Sequence, residues 1–120
     1  MKQRARGFKR IIQAYTYSKQ GFKFVLQAEP AFHQELIVLG IGTVISLCLR
    51  LSGIERAMLV FSLFFIVFME LVNTAIEVII DRISEKYHPL SGHAKDIGSL
   101  LVLLSFLNAF LVWGLILLSS

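Results

Sequence analysis

The sequence predicts an all-α integral membrane protein in which an N-terminal amphipathic surface helix precedes three transmembrane helices. Three observations carry this prediction. Of the 120 residues 56% are hydrophobic, and the mean hydropathy of +0.71 is too apolar for an ordinary soluble domain. Two runs, Ala57–Ile80 with 24 residues and Ile97–Leu118 with 22, exceed the roughly 20 residues that cross a bilayer core. Residues 1–28 hold seven Lys or Arg and no acid, which by the positive-inside rule keeps that end in the cytoplasm. The length allows one domain, 1–120.

The elements follow in order. Within 1–29, Phe8, Ile11, Ile12, Tyr15, Phe22, Val25 and Leu26 recur at helical spacing among Lys9, Arg10, Gln13 and Gln20. This is the pattern of a helix lying in the membrane surface, with a break expected near Gly21. The net charge of +4 comes mostly from this end, and the partner expected for it is anionic lipid, with no nucleic acid. MKQRARGFKR is followed by QAYTYSKQ and not by an apolar run, so no cleavable signal peptide is expected. Glu29 precedes Pro30, which disfavours α conformation before it and starts helices well, so a corner is expected there.

The first span, about 31–51, has the shortest apolar run, which on length alone also suits a buried or interfacial helix. Its unbroken core Leu36–Leu49 has 14 residues, and Glu35 and Arg50 are expected to snorkel at its ends. The second and third spans are 57–80 and 97–118. Between them 81–96 is expected as a loop broken by Pro89 and Gly92, with Ser91 capping a helix that starts at Gly92 or His93. Alternation then places 50–56 outside, 81–96 in the cytoplasm and the C-terminus in the periplasm. Cys48 is the single cysteine, so no intrachain disulfide forms, and no histidine has zinc-site spacing.

One stretch, FMELVNTAIEVIIDR at 68–82, sets the functional question. At about 100° per residue, positions 70, 73, 77 and 81 fall within roughly 80° of one another. Glu70, Asn73, Glu77 and Asp81 therefore make one polar stripe on an apolar rod. A carboxylate in hydrocarbon costs at least a few kcal/mol, which favours a functional site over a stripe that only joins helices. Glu70 lies about 10 Å deeper than Glu77. The topology gathers Glu29, Glu77, Asp81, Lys95 and Asp96 at the cytoplasmic boundary, from three segments. Carboxylates with Arg10 and Lys95 suit a divalent cation and its accompanying phosphates, the chemistry of phosphoryl transfer. No Walker loop, GxGxxG or HRD/DFG set is present, so no common nucleotide fold is implied.

With those residues on the page, the chain resembles the small prokaryotic integral-membrane diacylglycerol kinases. The resemblance rests on ELVNTAIEVIIDRI at 70–83, YHPLSGHAKDIGS at 87–99 and GFKRIIQAYTYSKQG at 7–21, extended by Glu29, Phe32, Gln34 and Glu35. It implies a homotrimeric helical bundle with sites shared between protomers, converting diacylglycerol to phosphatidic acid with ATP and Mg²⁺ at the inner membrane. It implies Glu70 as the base for the lipid hydroxyl with Asn73 supporting it, and Glu29 and Glu77 as the Mg²⁺ ligands beside ATP. Nucleotide contacts are implied for Arg10, Tyr17, Lys86, Tyr87, His88, Lys95 and Asp96. The lipid path is implied along Arg10, Ala14, Tyr15, Thr16, Tyr17, Ser18, Lys19 and Lys23, with Glu35, Glu70 and Ser99.

The chain departs from the best-known branch of that family at several places. Lys86 and Pro89 stand where acids are usual, His33 and His93 where arginines are, and Lys19 where a tryptophan often sits. The changes at 86–89 bear on ribose and adenine contacts and leave the phosphate chemistry alone. Pro89 in YHPL is also similar to the undecaprenol kinases, the alternative lipid branch, whereas SGHAKDIGS and DRI favour diacylglycerol. From another class altogether, a small proton-coupled transporter would use Glu70 and Asn73 but gives no role to Glu29, Lys95 and Asp96. A purely structural membrane protein has the same defect.

Overall fold

The structure, a computed structural model, describes residues 6–119, so Lys2 and Arg4 of the basic amino end lie outside the described residues. Four helices follow in sequence: α1 (Phe8–Ala28), α2 (Pro30–Cys48), α3 (Gly53–Ile83) and α4 (Pro89–Ser119). The last three are long and apolar enough to cross a membrane. They run up, down and up, with α3 packed against α2 on one side and α4 on the other.

Alpha-helix ends explain where the chain turns. Glu29 is extended (φ −125°, ψ 102°), as a residue before proline prefers, and it ends α1 while opening α2. Its N–H donates to Val25 O at 2.9 Å. His33 donates from Nε2 to Leu26 O at 2.6 Å and so takes up another free carbonyl of α1's last turn. The break expected near Gly21 is absent, and α1 is continuous. A single glycine in a helix costs only about 1 kcal/mol relative to alanine, which its neighbours can carry.

At the other end, Ser52 and Glu55 form a capping box that starts α3, with Ser52 Oγ accepting from Glu55 N–H and Glu55 Oε1 accepting from Ser52 N–H. One turn later Arg56 reaches back to α2. Its Nε donates to Ser46 O and its second guanidinium nitrogen to Leu49 O, both at 2.9 Å. A cation thus satisfies the free carbonyls at α2's negative dipole end.

The expected loop 81–96 shrinks to residues 84–88, and α4 starts at Pro89, ahead of Gly92. Proline suits the first helical position because its missing N–H would find no helical partner there. His88 supplies the cap in place of Ser91, its Nδ1 accepting the Leu90 N–H at 3.1 Å. At 31 residues each, α3 and α4 are about 46 Å long and outreach a core of about 30 Å. Apolar length sets the span and does not end the helix, so Asp81, Lys95 and Asp96 ride on helical extensions.

Packing is concentrated on α3. Phe32, Glu35, Gly42 and Ser46 form the buried face of α2, and Gly98, Ser105, Ala109 and Ile116 that of α4. Val25, Phe32 and Val67 make one apolar cluster, and Leu63, Ile66 and Ala109 a second, joined through Leu39. Hydroxyls inside the bundle return to their own helices: Thr43 to Leu39 O, Ser46 to Thr43 O, Thr74 to Glu70 O and Ser105 to Val102 O. Trp113 reaches across from α4 to α3, its Nε1 donating to Ser62 Oγ at 3.1 Å.

Replacing the Arg56 cap tests this account. Arg56→Met keeps the stem but strands two carbonyls of α2, and unfolding free energy is expected to fall by about 1–3 kcal/mol. Denaturation in detergent micelles measures it, and an unchanged midpoint would remove Arg56 from the determinants of the α2–α3 turn.

Candidate active site

The polar stripe of α3 meets α2 along one line. Glu70 and Asn73 are buried, at 5% and 9% exposure, Glu77 is half-buried and Asp81 is exposed. Glu35 is the correction here. Expected to snorkel, it is only 7% exposed, because it falls on the same helical face as Phe32 and Gly42 and so turns towards α3. Its carboxyl group lies within hydrogen-bonding reach of Glu70. Glu35 Oε2 is buried without a hydrogen-bond partner.

A second carboxyl pair lies nearer the end of the helices. Glu29, at the α1–α2 corner, has its carboxyl group within hydrogen-bonding reach of Glu77. The Glu29 carboxyl is held above the ordinary carboxylate range, first by burial, then by the charge and contact of Glu77 and at longer range by Glu70. The two pairs are staggered along α2 and α3 by six and seven residues, a rise of about 10 Å. Asn73 stands between them, its Nδ2 donating to Glu77 Oε1 at 3.3 Å. Asn73 Oδ1 is buried against α4 with no N–H or O–H partner.

Alpha4 supplies the cation. Lys95 Nζ meets Asp81 Oδ1 at 3.0 Å, joining the end of α3 to the first turns of α4. Asp96 and Ser99 are exposed on the same helix. Lys86, Tyr87 and His88 lie together in the exposed 84–88 connection, where Lys86 N–H donates to Ser84 Oγ and His88 serves as the α4 cap.

The residues expected on α1 are not brought to this cluster within one chain. Arg10 is 19 residues before Glu29 on a continuous helix, about 28 Å away, and Tyr17 is about 18 Å away. Ala14, Tyr15, Thr16, Ser18, Lys19 and Lys23 are exposed along the same rod. Sequence reasoning missed Gly98, which faces Asn73 from α4. Its signal was a run of small residues at 98, 105 and 109, the spacing that lets membrane helices approach closely.

Could these groups hold a metal ion? Among the described residues no three His, Cys, Asp or Glu side chains converge. Two carboxylates do, at Glu29 and Glu77, on the half-buried corner. That donor set fits Mg²⁺, which commonly takes one or two carboxylates and completes its shell with water and phosphate oxygens.

Among the described residues the structure is helical, with three helices able to span a membrane and carboxyl groups facing one another between α2 and α3, which defines a helical membrane protein. Residues 16–117 match the family described as prokaryotic diacylglycerol kinase. A diacylglycerol kinase of Escherichia coli is 40% identical over 111 residues, covering 92% of this chain and 91% of the relative. One from Pseudomonas aeruginosa is 36% identical over 112 residues, covering 93% and 91%. One from Helicobacter pylori is 35% identical over 111 residues, covering 92% and 87%. The chain belongs to the prokaryotic diacylglycerol kinase family.

The Lys95–Asp81 pair yields a test. With side chains 45% and 64% exposed it is screened by water, so Asp81→Asn is expected to cost less than about 1 kcal/mol of stability. Thermal denaturation of the variant checks this. A larger loss would mean that the pair holds the α3–α4 end together.

Proposed function

We propose that this bacterial membrane enzyme transfers the γ-phosphoryl group of ATP to the free hydroxyl of diacylglycerol, giving phosphatidic acid and ADP at the cytoplasmic face of the inner membrane. The chain is a diacylglycerol kinase by family. The proposal concerns how its residues do the work and which way they face. The observation that carries it is the stagger of two carboxyl pairs along α2 and α3, one buried and one at the corner.

In this reading Glu70 is the general base. Glu70 accepts the proton of the lipid hydroxyl as the hydroxyl oxygen forms a bond to the γ-phosphorus. The bond from that phosphorus to the β–γ bridging oxygen breaks, and the electron pair leaves with ADP. Thr74 Oγ1 donates to Glu70 O at 3.0 Å, which satisfies the buried hydroxyl beside the base. Mg²⁺ held by Glu29 and Glu77 would neutralise phosphate charge. Lys95 leaves Asp81 for phosphate, and Asp96, Lys86, Tyr87 and His88 face the nucleotide.

Arg10, Tyr17 and the lipid-path residues from Ala14 to Lys19, with Lys23 and Ser99, belong to the same site in a homotrimer. The distance along α1 supports contribution from a neighbouring protomer, since the chain's own Arg10 is about 28 Å from its carboxyl pairs. All three long helices also leave most of their spanning stretch unburied in one chain. The basic α1 lies on the cytoplasmic surface and the C-terminus emerges in the periplasm. Pro89 bears on the undecaprenol alternative only weakly, because its place at the first position of α4 explains it without reference to a lipid.

Two substitutions separate base from metal ligand. Glu70→Gln is expected to bind Mg²⁺–ATP at near wild-type affinity while lipid phosphorylation falls about 10²–10⁴-fold. Glu77→Gln is expected to lose Mg²⁺–ATP use while still folding. If nucleotide binding collapses in Glu70→Gln, the division of roles is wrong. Purified protein in mixed micelles with labelled ATP and Mg²⁺, offered diacylglycerol and undecaprenol in parallel, identifies the lipid. Preferential labelling of undecaprenol would overturn the assigned substrate.

A further inference from the structure

We propose that Gly98 is a positioning residue for Glu77, acting through Asn73; the inference rests on the reading of Glu77 as a cation ligand. Asn73 has two roles to fill with one amide. Its Nδ2 donates to Glu77 Oε1 at 3.3 Å, which forces Oδ1 to the opposite side. The reverse orientation would set two oxygens against each other. Oδ1 therefore points at α4, buried and without an N–H or O–H donor.

The place it occupies exists because position 98 has no side chain. A methyl group there would overlap Asn73 Oδ1, and would stand 3.2 Å from Cγ and 3.6 Å from Cα. The Cα distance is ordinary van der Waals contact, so the two backbones need not part; the conflict falls on the amide itself, at Oδ1 and Cγ. An alanine at 98 would have to push the amide off its line towards Glu77. Backbone conformation gives no separate reason for glycine, because among the described residues positive φ occurs only at Gly7. The Gly98 Cα–H faces Oδ1 and offers it the weak polar contact that remains when ordinary donors are excluded.

The consequence is a relay of position across three groups: backbone of α4, amide of Asn73, carboxylate of Glu77. A partner that orients a metal ligand typically changes metal affinity 10–100-fold when lost. Gly98 does this without touching nucleotide or lipid. The next helical position, Ser99, is exposed, so the effect is specific to the buried glycine.

The test uses the full-length protein in detergent micelles with Mn²⁺ as the metal probe, titrated by its electron paramagnetic resonance signal beside a non-hydrolysable ATP analogue. Gly98→Ala and Asn73→Ala are each expected to weaken Mn²⁺ binding about tenfold. The double variant is expected to bind no more weakly than Asn73→Ala alone, because both act on one link. Its melting temperature is expected to recover part of what Gly98→Ala loses, since truncation at 73 vacates the contested space. Wild-type Mn²⁺ affinity in Gly98→Ala, or additive losses in the double variant, would overturn the proposal. Should Gly98→Ala fail to fold, folding of the double variant supports the contact and its failure refutes it. Glu77→Gln is read separately: wild-type Mn²⁺ affinity there refutes the metal assignment, and this inference with it.

Discussion

Acidic side chains inside an apolar helix bundle must find partners, and in this protein they find one another. Leaving a carboxylate alone in hydrocarbon costs at least a few kcal/mol, so the helices have to meet where the acids meet. Glu29 pairs with Glu77 and Glu35 with Glu70, and the intervals of six and seven residues match in an antiparallel pair of helices. A shift of one residue between α2 and α3 would turn both pairs out of line. The opposite end of the same helix pair is held by Arg56 on the α2 carbonyls and by the capping box at Ser52. Register is thus pinned at both ends by polar contacts, while apolar packing fills the distance between.

The third long helix serves this arrangement by approaching closely. Gly98 admits Asn73, and Gly42 lies near Leu63 and Trp113, so the backbones come together where side chains are smallest. Trp113 and Ser62 tie α3 to α4 near the start of α3, and Lys95 and Asp81 do so at the other end. Alpha1 is held near its C-terminus by Val25, by Phe22 edge-on to Phe32 and by the His33 contact to Leu26 O. A helix whose Arg10 lies far from its own carboxyl pairs suits a site completed by another copy of the chain, as the proposed function requires.

The vertical order of the acids gives the chemistry a rationale. A base that takes a proton from a lipid hydroxyl belongs beside the hydrocarbon, and a hydrated cation with phosphates belongs where water reaches. In the proposed function a single helical stripe serves both, because seven residues advance about 10 Å while returning to the same face. Asn73 lies between the two levels and contacts the lower one. Its position is therefore the link between proton transfer and phosphate binding in this reading.

Much of this was legible in the residues themselves. Hydropathy announces three spans, since apolar length is a property of local sequence, and the 3.6-residue period puts Glu70, Asn73 and Glu77 on one face before any fold is known. The Glu29–Pro30 corner is equally local, because proline restricts the residue before it. Other features belong to neighbours that sequence cannot order. Glu35 reads as a residue at the end of a span, and only packing against α3 makes it a buried partner of Glu70. Pro89 reads as a break, and only the cap from His88 makes it the start of α4. Gly98 reads as one more small residue until Asn73 is seen beside it. Periodicity and composition determine what each helix offers along its own axis; which offered groups meet depends on the distances between helices, and those are set by tertiary packing alone.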